Sequence, residues 1–333
     1  MLVHLRRWPR MGRTVPRLFA LAALLLLVSA APATAQKKGR AEVDAALADI
    51  LQGRRVTAAV SRLKYLGVGT YACEVLTRYA RSGDVRQRRD VAEALSDLAT
   101  PSCEPTLRGM ATDPETSIRV ASARGLGRLA RTSPALWLLL ADKASGVRRE
   151  AAKALGSAHS KDSGPRLLDA AEAEGEPEVR EAMIVAAAAV PNPKLVPRLE
   201  KFLKQSSEST RLAAARALCL QGAPSGIAVA KAKLQGTTRY ERRDGVQLLD
   251  GAPLKASGPL LRPLLEVRPV DPYVAAPAAR VLHRAGEKKM VEWLVVEASD
   301  AAADARGPFE EALEALQVTD AERKNILRAR LLE

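Results

Sequence analysis

Aromatic side chains make up only 3% of the 333 residues, and cysteine and histidine occur three times each. Each scarcity excludes something. A compact globule of this length fills its core with aromatic volume, so a chain poor in it fits an elongated helical array packed with Ala and Leu. His4 falls in an N-terminal leader, which leaves His159 and His283 for acid–base work or metal binding, and they lack the spacing of a ligand pair. Both read as surface or turn residues. There is no glycine-rich phosphate loop and no nucleophile-elbow motif, while Glu310-Glu311 and the set Glu172, Glu174 and Glu176 read as solvated helix faces. The expectation is a protein that is not an enzyme and uses neither cofactor nor metal.

Residues 1–35 read as a secretory signal peptide. Arg6, Arg7, Arg10, Arg13 and Arg17 precede an apolar run from Leu18 to Ala31, and Ala33-Thr34-Ala35 gives a small-x-small cleavage site. The run is about 14 residues, shorter than the roughly 20 that a membrane-spanning helix needs. Cleavage after Ala35 is expected, which makes the protein periplasmic or secreted; an uncleaved inner-membrane anchor is the alternative, and then the N-terminal segment is the only membrane contact. Met11 is an alternative start, Arg6-Arg7 lacks the neighbours of a twin-arginine signal, and no cysteine at the cleavage site suggests lipid modification. The signal holds five arginines and no acid, so its loss lowers the net charge from +14 to about +9. The excess is uneven, since Glu287 to Glu322 holds ten acids against Lys288, Lys289 and Arg306. Export argues against nucleic acid as the partner; envelope phosphate groups or an acidic protein face suit the charge better.

From residue 36 to 333 the chain repeats itself about every 31 residues. The phrase VRREAAKALG, Val147 to Gly156, is one copy; the copies close on Leu95, Leu126, Leu155, Ala187, Leu218, Leu249 and Leu282 and carry Arg88, Arg119, Arg148, Arg180, Arg211, Arg242 and Ala275 at a common anchor position. Repetition at this period means an α-solenoid. Each period divides into two helical patterns: Pro134 to Asp142 with Ser133 as cap, then Val147 to Gly156, with Gly156 suited to the C-terminal end. Pro197, Pro263 and Pro277 fall inside apolar periodic stretches, where each bends a helix. A hairpin this short cannot bury its own apolar faces, so the units must stack.

The pattern [Val/Ile]-Arg-x-x-Ala-[Ala]-x-[Ala]-Leu in the second helix resembles the HEAT repeat, in the short variety first named for phycobilisome lyases. It is clearest at Ile118 to Leu126, Val147 to Leu155, Val179 to Ala187 and Thr210 to Leu218. The resemblance implies an all-α superhelix of about nine hairpins, with degenerate terminal units near Val56 and Phe309. It also implies a ladder between repeats: Asp113, Asp142 and Glu174 stand six residues before Arg119, Arg148 and Arg180, where the family places the acid that pairs with its arginine. Neither a bilin lyase nor a DNA glycosylase is supported, because no motif of either is present.

What the ladder leaves over is the candidate binding surface: Arg89, Arg149, Lys153, Arg216 and Arg243, with Glu181, on exposed positions of second helices. The favoured function is a non-catalytic protein-interaction scaffold of the cell envelope; the alternative is a module that binds a polyanion such as lipid headgroups, polysaccharide or nucleic acid through a basic stripe. Thr70-Tyr71-Ala72-Cys73-Glu74 and Thr100-Pro101-Ser102-Cys103-Glu104 match at three positions. Cys73 and Cys103 are therefore either a disulfide in an oxidising compartment or two small buried apolar residues. Cys219 reads as a lone buried thiol.

Overall fold

The computed structural model describes residues 33–81 and 84–332, with side chains from residue 39 onward. The signal segment therefore lies outside the described residues except for Ala33 to Ala35. Among those described the chain is all-α, with nineteen α-helices, three short 3-10 turns and no strand. It is an α-solenoid of helical hairpins, and its contacts divide it into two compact units, 1–98 and 99–333.

In the first unit α1 (Ala33–Leu51) pairs with α2 (Val56–Tyr65), and α3 (Gly69–Thr77) with α4 (Val85–Leu98). Ile50, Leu63, Leu76 and Leu95 are fully buried between them, and Arg62 ties α2 to Glu42 of α1 at 3.0 Å. In the second unit the pairs are α5 (Glu104–Gly109) with α6 (Thr116–Arg128), α7 (Pro134–Leu140) with α8 (Ser145–Ser157), α9 (Ser163–Ala173) with α10 (Pro177–Ala187), and α11 (Val196–Phe202) with α12 (Glu208–Leu220). Then come α13 (Pro224–Leu234) with α14 (Arg239–Leu248), α15 (Leu254–Glu266) with α16 (Pro272–Arg284), and α17 (Met290–Asp300) with α18 (Gly307–Ala315); α19 (Asp320–Arg330) closes the series against α17. The described residues thus form nine hairpins and a terminal helix.

Local chemistry sets the helix limits. Ser133 accepts the Ala135 N–H ahead of Pro134, and Ser207, Thr238 and Asp271 cap α12, α14 and α16 in the same manner. Pro263 and Pro277 stand inside α15 and α16 as expected. Pro197 does not: a 3-10 turn over Pro193–Leu195 precedes it, so it occupies the first turn of α11, where the missing N–H costs no helical bond.

In the second unit the second helices stack in series, α6 on α8, α8 on α10, and onward through α12, α14, α16 and α18. Consecutive first helices meet far less, so the second helices carry most of the contact between repeats. Two glycines set how closely they approach. A Cβ on Gly127 would lie 2.8 Å from Cβ and 2.9 Å from Cα of Ala154, and one on Gly156 would lie 3.0 Å from Cβ of Ala186. Gly156 stands at the C-terminal end of its helix, as expected, but it serves packing there rather than capping. It sits within the last turn of α8, where only a hydrogen lets α10 come so near.

Replacing Gly127 or Gly156 by Ala should therefore destabilise the protein by about 1–3 kcal/mol through overpacking, despite the ~1 kcal/mol that Ala gains over Gly in a helix. Urea unfolding of the variants measures the difference, and a net stabilisation would contradict the close approach.

Candidate functional site

The anchor arginines form a ladder, but with a different register from the one expected. Nε and Nη2 of Arg119 donate to the Asp142 carboxylate at 2.6 and 3.0 Å, while Nη1 donates to the backbone carbonyls of Asp113 and Pro114 at 2.9 and 3.0 Å. Arg148 repeats the geometry one unit on, with its fork on Glu174 at 2.8 and 2.9 Å and Nη1 on the carbonyls of Asp142 and Lys143 at 2.9 and 3.2 Å. The side-chain partner is the acid of the following repeat. The acid six residues upstream supplies only its backbone oxygen, because it lies at the base of the same turn with its carboxylate folded forward over the helix start. Asp142 takes the Ala144 N–H at 2.8 Å there, and Glu174 the Glu176 N–H at 2.9 Å.

Each acid thus joins three things: its own helix start, the arginine behind it through its carboxylate, and its own arginine through its carbonyl. Burial alone would raise the Asp142 carboxyl, but the Arg119 guanidinium and the Ala144 amide hold it below the ordinary range. The Arg148 fork holds Glu174 low against the same opposition. Arg180 departs from the pattern, since its Nε and Nη2 both turn to the Glu174 carbonyl and position 205, where the next acid belongs, is Gln. Arg211 caps Gln205 and Ser206. Further on, Arg239 and Arg242 both reach Asp271 at 3.3 Å.

Along the stacked second helices runs an open groove of about 740 Å³, lined by α8, α10, α12 and α14. Val185, Leu212, Leu220 and Leu248 give it an apolar floor. The structure gathers three of the expected surface cations there, Arg149, Lys153 and Arg216, together with Glu178, Glu181 and Asp244. They do not form a basic stripe: Arg149 pairs with Glu178 and Lys153 with Glu150, both at 2.8 Å. Arg216 has no ion pair among the described residues. Arg243 is exposed but outside the groove, whose lining on α14 consists of Asp244, Gln247 and Leu248. Arg89 is exposed on α4 of the first unit. His159 is an exposed turn residue at the groove's edge, with φ of 48°, whereas His283 is half-buried in the last turn of α16 rather than in a turn.

Sequence reasoning passed over several bonds between repeats that lie outside the ladder. Arg198 of α11 bridges Asp169 and Glu172 of α9 at 2.8 and 2.9 Å, and Arg166 lies 3.8 Å over the Trp137 ring. Gln221 donates to the Ala188 carbonyl at 3.0 Å. None belongs to the repeat pattern, so periodicity carries no signal for them. Cys73 and Cys103 are fully buried, each in a disulfide, and Cys219 is free, its thiol pushed up to about 12 by burial. Among the described residues no cluster of three or more His, Cys, Asp or Glu could hold a metal, and no single helix is long and apolar enough to cross a membrane.

Comparison with known proteins agrees with this architecture. The family model described as HEAT repeats matches at residues 73–156, 104–186 and 164–250. Among solved structures, the complex of CpcE and CpcF of phycocyanin lyase from Nostoc sp. PCC7120 is similar with a TM-score of 0.52 and 19% identity, over 73% of this chain and 94% of that one. An engineered protein is similar at 0.41 and 19%, over 81% and 83%, and YibA of Escherichia coli at 0.40 and 17%, over 75% and 96%. No curated protein matches.

Asp142→Asn would leave Arg119, only 5% exposed, without its anion, and is expected to cost about 3–5 kcal/mol, whereas Arg119→Met with Asp142→Leu should restore most of it. Both acids have depressed folded pKa values. Their contribution is therefore complete above the unfolded values of about 4 and is lost as the pH falls through the folded ones. Denaturant unfolding from pH 7 to pH 2.5 should show that loss in the wild type and a flatter profile in the double variant. Unfolding without reductant should expose one thiol per chain; three would rule out the disulfide.

Proposed function

The chain belongs to the HEAT-repeat family, and on that premise we propose that it is a non-catalytic interaction scaffold of the cell envelope, holding a protein partner in the groove of its second unit. Export rests on the leader pattern of residues 1–35, the groove on its own composition. The observation that carries the reading is an open trough, floored by Val185, Leu212, Leu220 and Leu248, in which Arg149 and Lys153 are already neutralised by Glu178 and Glu150 and Arg216 stands among Glu181 and Asp244. Apolar floor and mixed-sign rim are the features of a surface that binds an extended segment by area and shape. Polyanion binding fits it less well, since two of the three cations are paired and three acids, Glu178, Glu181 and Asp244, line the same groove, which leaves little attraction for a uniform negative field.

A photo-crosslinking residue at Val185 or Leu212, set in the mature protein in its native envelope, should capture one partner that the same probe at Leu138, an exposed first-helix position, does not. Capture of cytosolic proteins alone would overturn the envelope assignment. With that partner in hand, Val185→Glu together with Leu212→Glu should weaken binding at least tenfold while leaving the unfolding midpoint nearly unchanged. Affinity falling steeply between low and moderate salt would favour the polyanion reading instead.

A further inference from the structure

The register of the ladder makes its interruption at Arg180 informative. At Arg119 and Arg148 the guanidinium fork closes on the carboxylate of the next repeat, which comes from Asp142 or Glu174. Gln205 stands in the equivalent place for Arg180. The equivalence is structural as well as numerical, because Arg211 donates to the Gln205 carbonyl at 2.9 Å, as Arg148 does to that of Asp142. An amide carries no charge and cannot offer a guanidinium two equivalent oxygens.

A small cavity of about 210 Å³ lies at this point, and Arg180, Lys201, Gln205, Phe202 and Glu172 line it. Lys201 has no ion pair among the described residues. The Glu172 carboxylate is engaged elsewhere, since its Oε1 accepts both Nε and Nη2 of Arg198 at 3.1 and 2.9 Å. Arg180, with no carboxylate to fork, gives its Nε and Nη2 to the Glu174 carbonyl instead, so two cations without an ion pair line a cavity whose single carboxylate is already held by a third. We propose that this rung, which has Gln205 in place of an acid, is a carboxylate-binding site, in which an external carboxylate takes the place that Asp142 and Glu174 fill at the other rungs, drawing Nε and Nη2 of Arg180 from the Glu174 carbonyl into a fork and being neutralised with Lys201.

The cavity holds several water volumes, enough for an acidic side chain, a chain terminus or a small free acid. It lies outside the groove lining and stands whether or not the groove binds a protein. The planar guanidinium favours a planar carboxylate over tetrahedral phosphate at a position built for Asp or Glu.

Titration of the mature full-length chain with succinate against chloride, at constant ionic strength, should raise the unfolding midpoint saturably, with inorganic phosphate at least threefold weaker. Gln205→Glu fills the rung from within, so it should raise the midpoint without ligand and weaken the succinate response at least tenfold. Lys201→Ala, an exposed change that leaves the fold alone, should weaken it severalfold. Competition by a short Asp-containing peptide identifies a protein segment as the source of the carboxylate; succinate binding that the peptide leaves untouched identifies a free acid. A wild-type chain with no saturable response, an undiminished response in Gln205→Glu, or phosphate binding as tightly as succinate would each overturn the site.

Discussion

Everything in the second unit depends on how closely one second helix can approach the next. A hairpin of some thirty residues has apolar surface on both sides and nothing of its own to cover it. Cover comes from the neighbouring unit, and its depth is set by the smallest side chains at the crossing. At Gly127 against Ala154 and Gly156 against Ala186 the contact is nearly backbone to backbone. That spacing accounts for the Ala-rich composition and the shortage of aromatics: Ala151, Ala154, Ala214 and Ala217 are buried in helices too close together for anything larger. It also decides where charge can go. Arginine and acid are excluded from the crossing, but at the helix starts, where the stack opens into turns, a guanidinium can span two repeats.

The repeat itself was fully legible, because helical periodicity and recurrent turns are local properties that survive in a single sequence. The partners were less so. Asp113, Asp142 and Glu174 recur at the same interval as Arg119, Arg148 and Arg180, so spacing alone cannot distinguish an arginine that reaches its own acid from one that reaches the next. What decides it is the turn. The carboxylate folds over its own helix start to take an N–H, which points it back toward the arginine of the preceding unit and leaves only its carbonyl for its own. Gly156 lies at the helix end expected of it, but its packing role was hidden for a related reason. A glycine after the last apolar position looks like a terminator, yet glycine follows the closing Leu at both Leu126 and Leu155, a periodicity that signals a packing requirement shared by repeats.

The groove is a consequence of the same geometry. Positions on the face of the second helices that lines the groove are freed from packing, so their side chains vary from one repeat to the next, and the apolar floor at Val185, Leu212 and Leu248 is visible only once four helices are set side by side. Charge on that face cannot be judged from exposure of single helices either. Arg149 looked unpaired because Glu178 is 29 residues away in sequence, at the distance of one repeat.

Irregularity thus has two meanings in this chain. Where stacking allows variation, as at Arg149, Leu212 and Asp244, a departure from the repeat builds the groove and costs little. Where a rung is defined by charge, as at Gln205, a departure leaves an arginine in a place shaped for a carboxylate, and the stack must be held by other means. Arg198 across Asp169 and Glu172, and Gln221 on the Ala188 carbonyl, bind the same repeats from the sides. With those bonds in place, an amide at position 205 is tolerable for folding, and the Arg180 guanidinium is left with the Glu174 carbonyl as its only partner among the described hydrogen bonds.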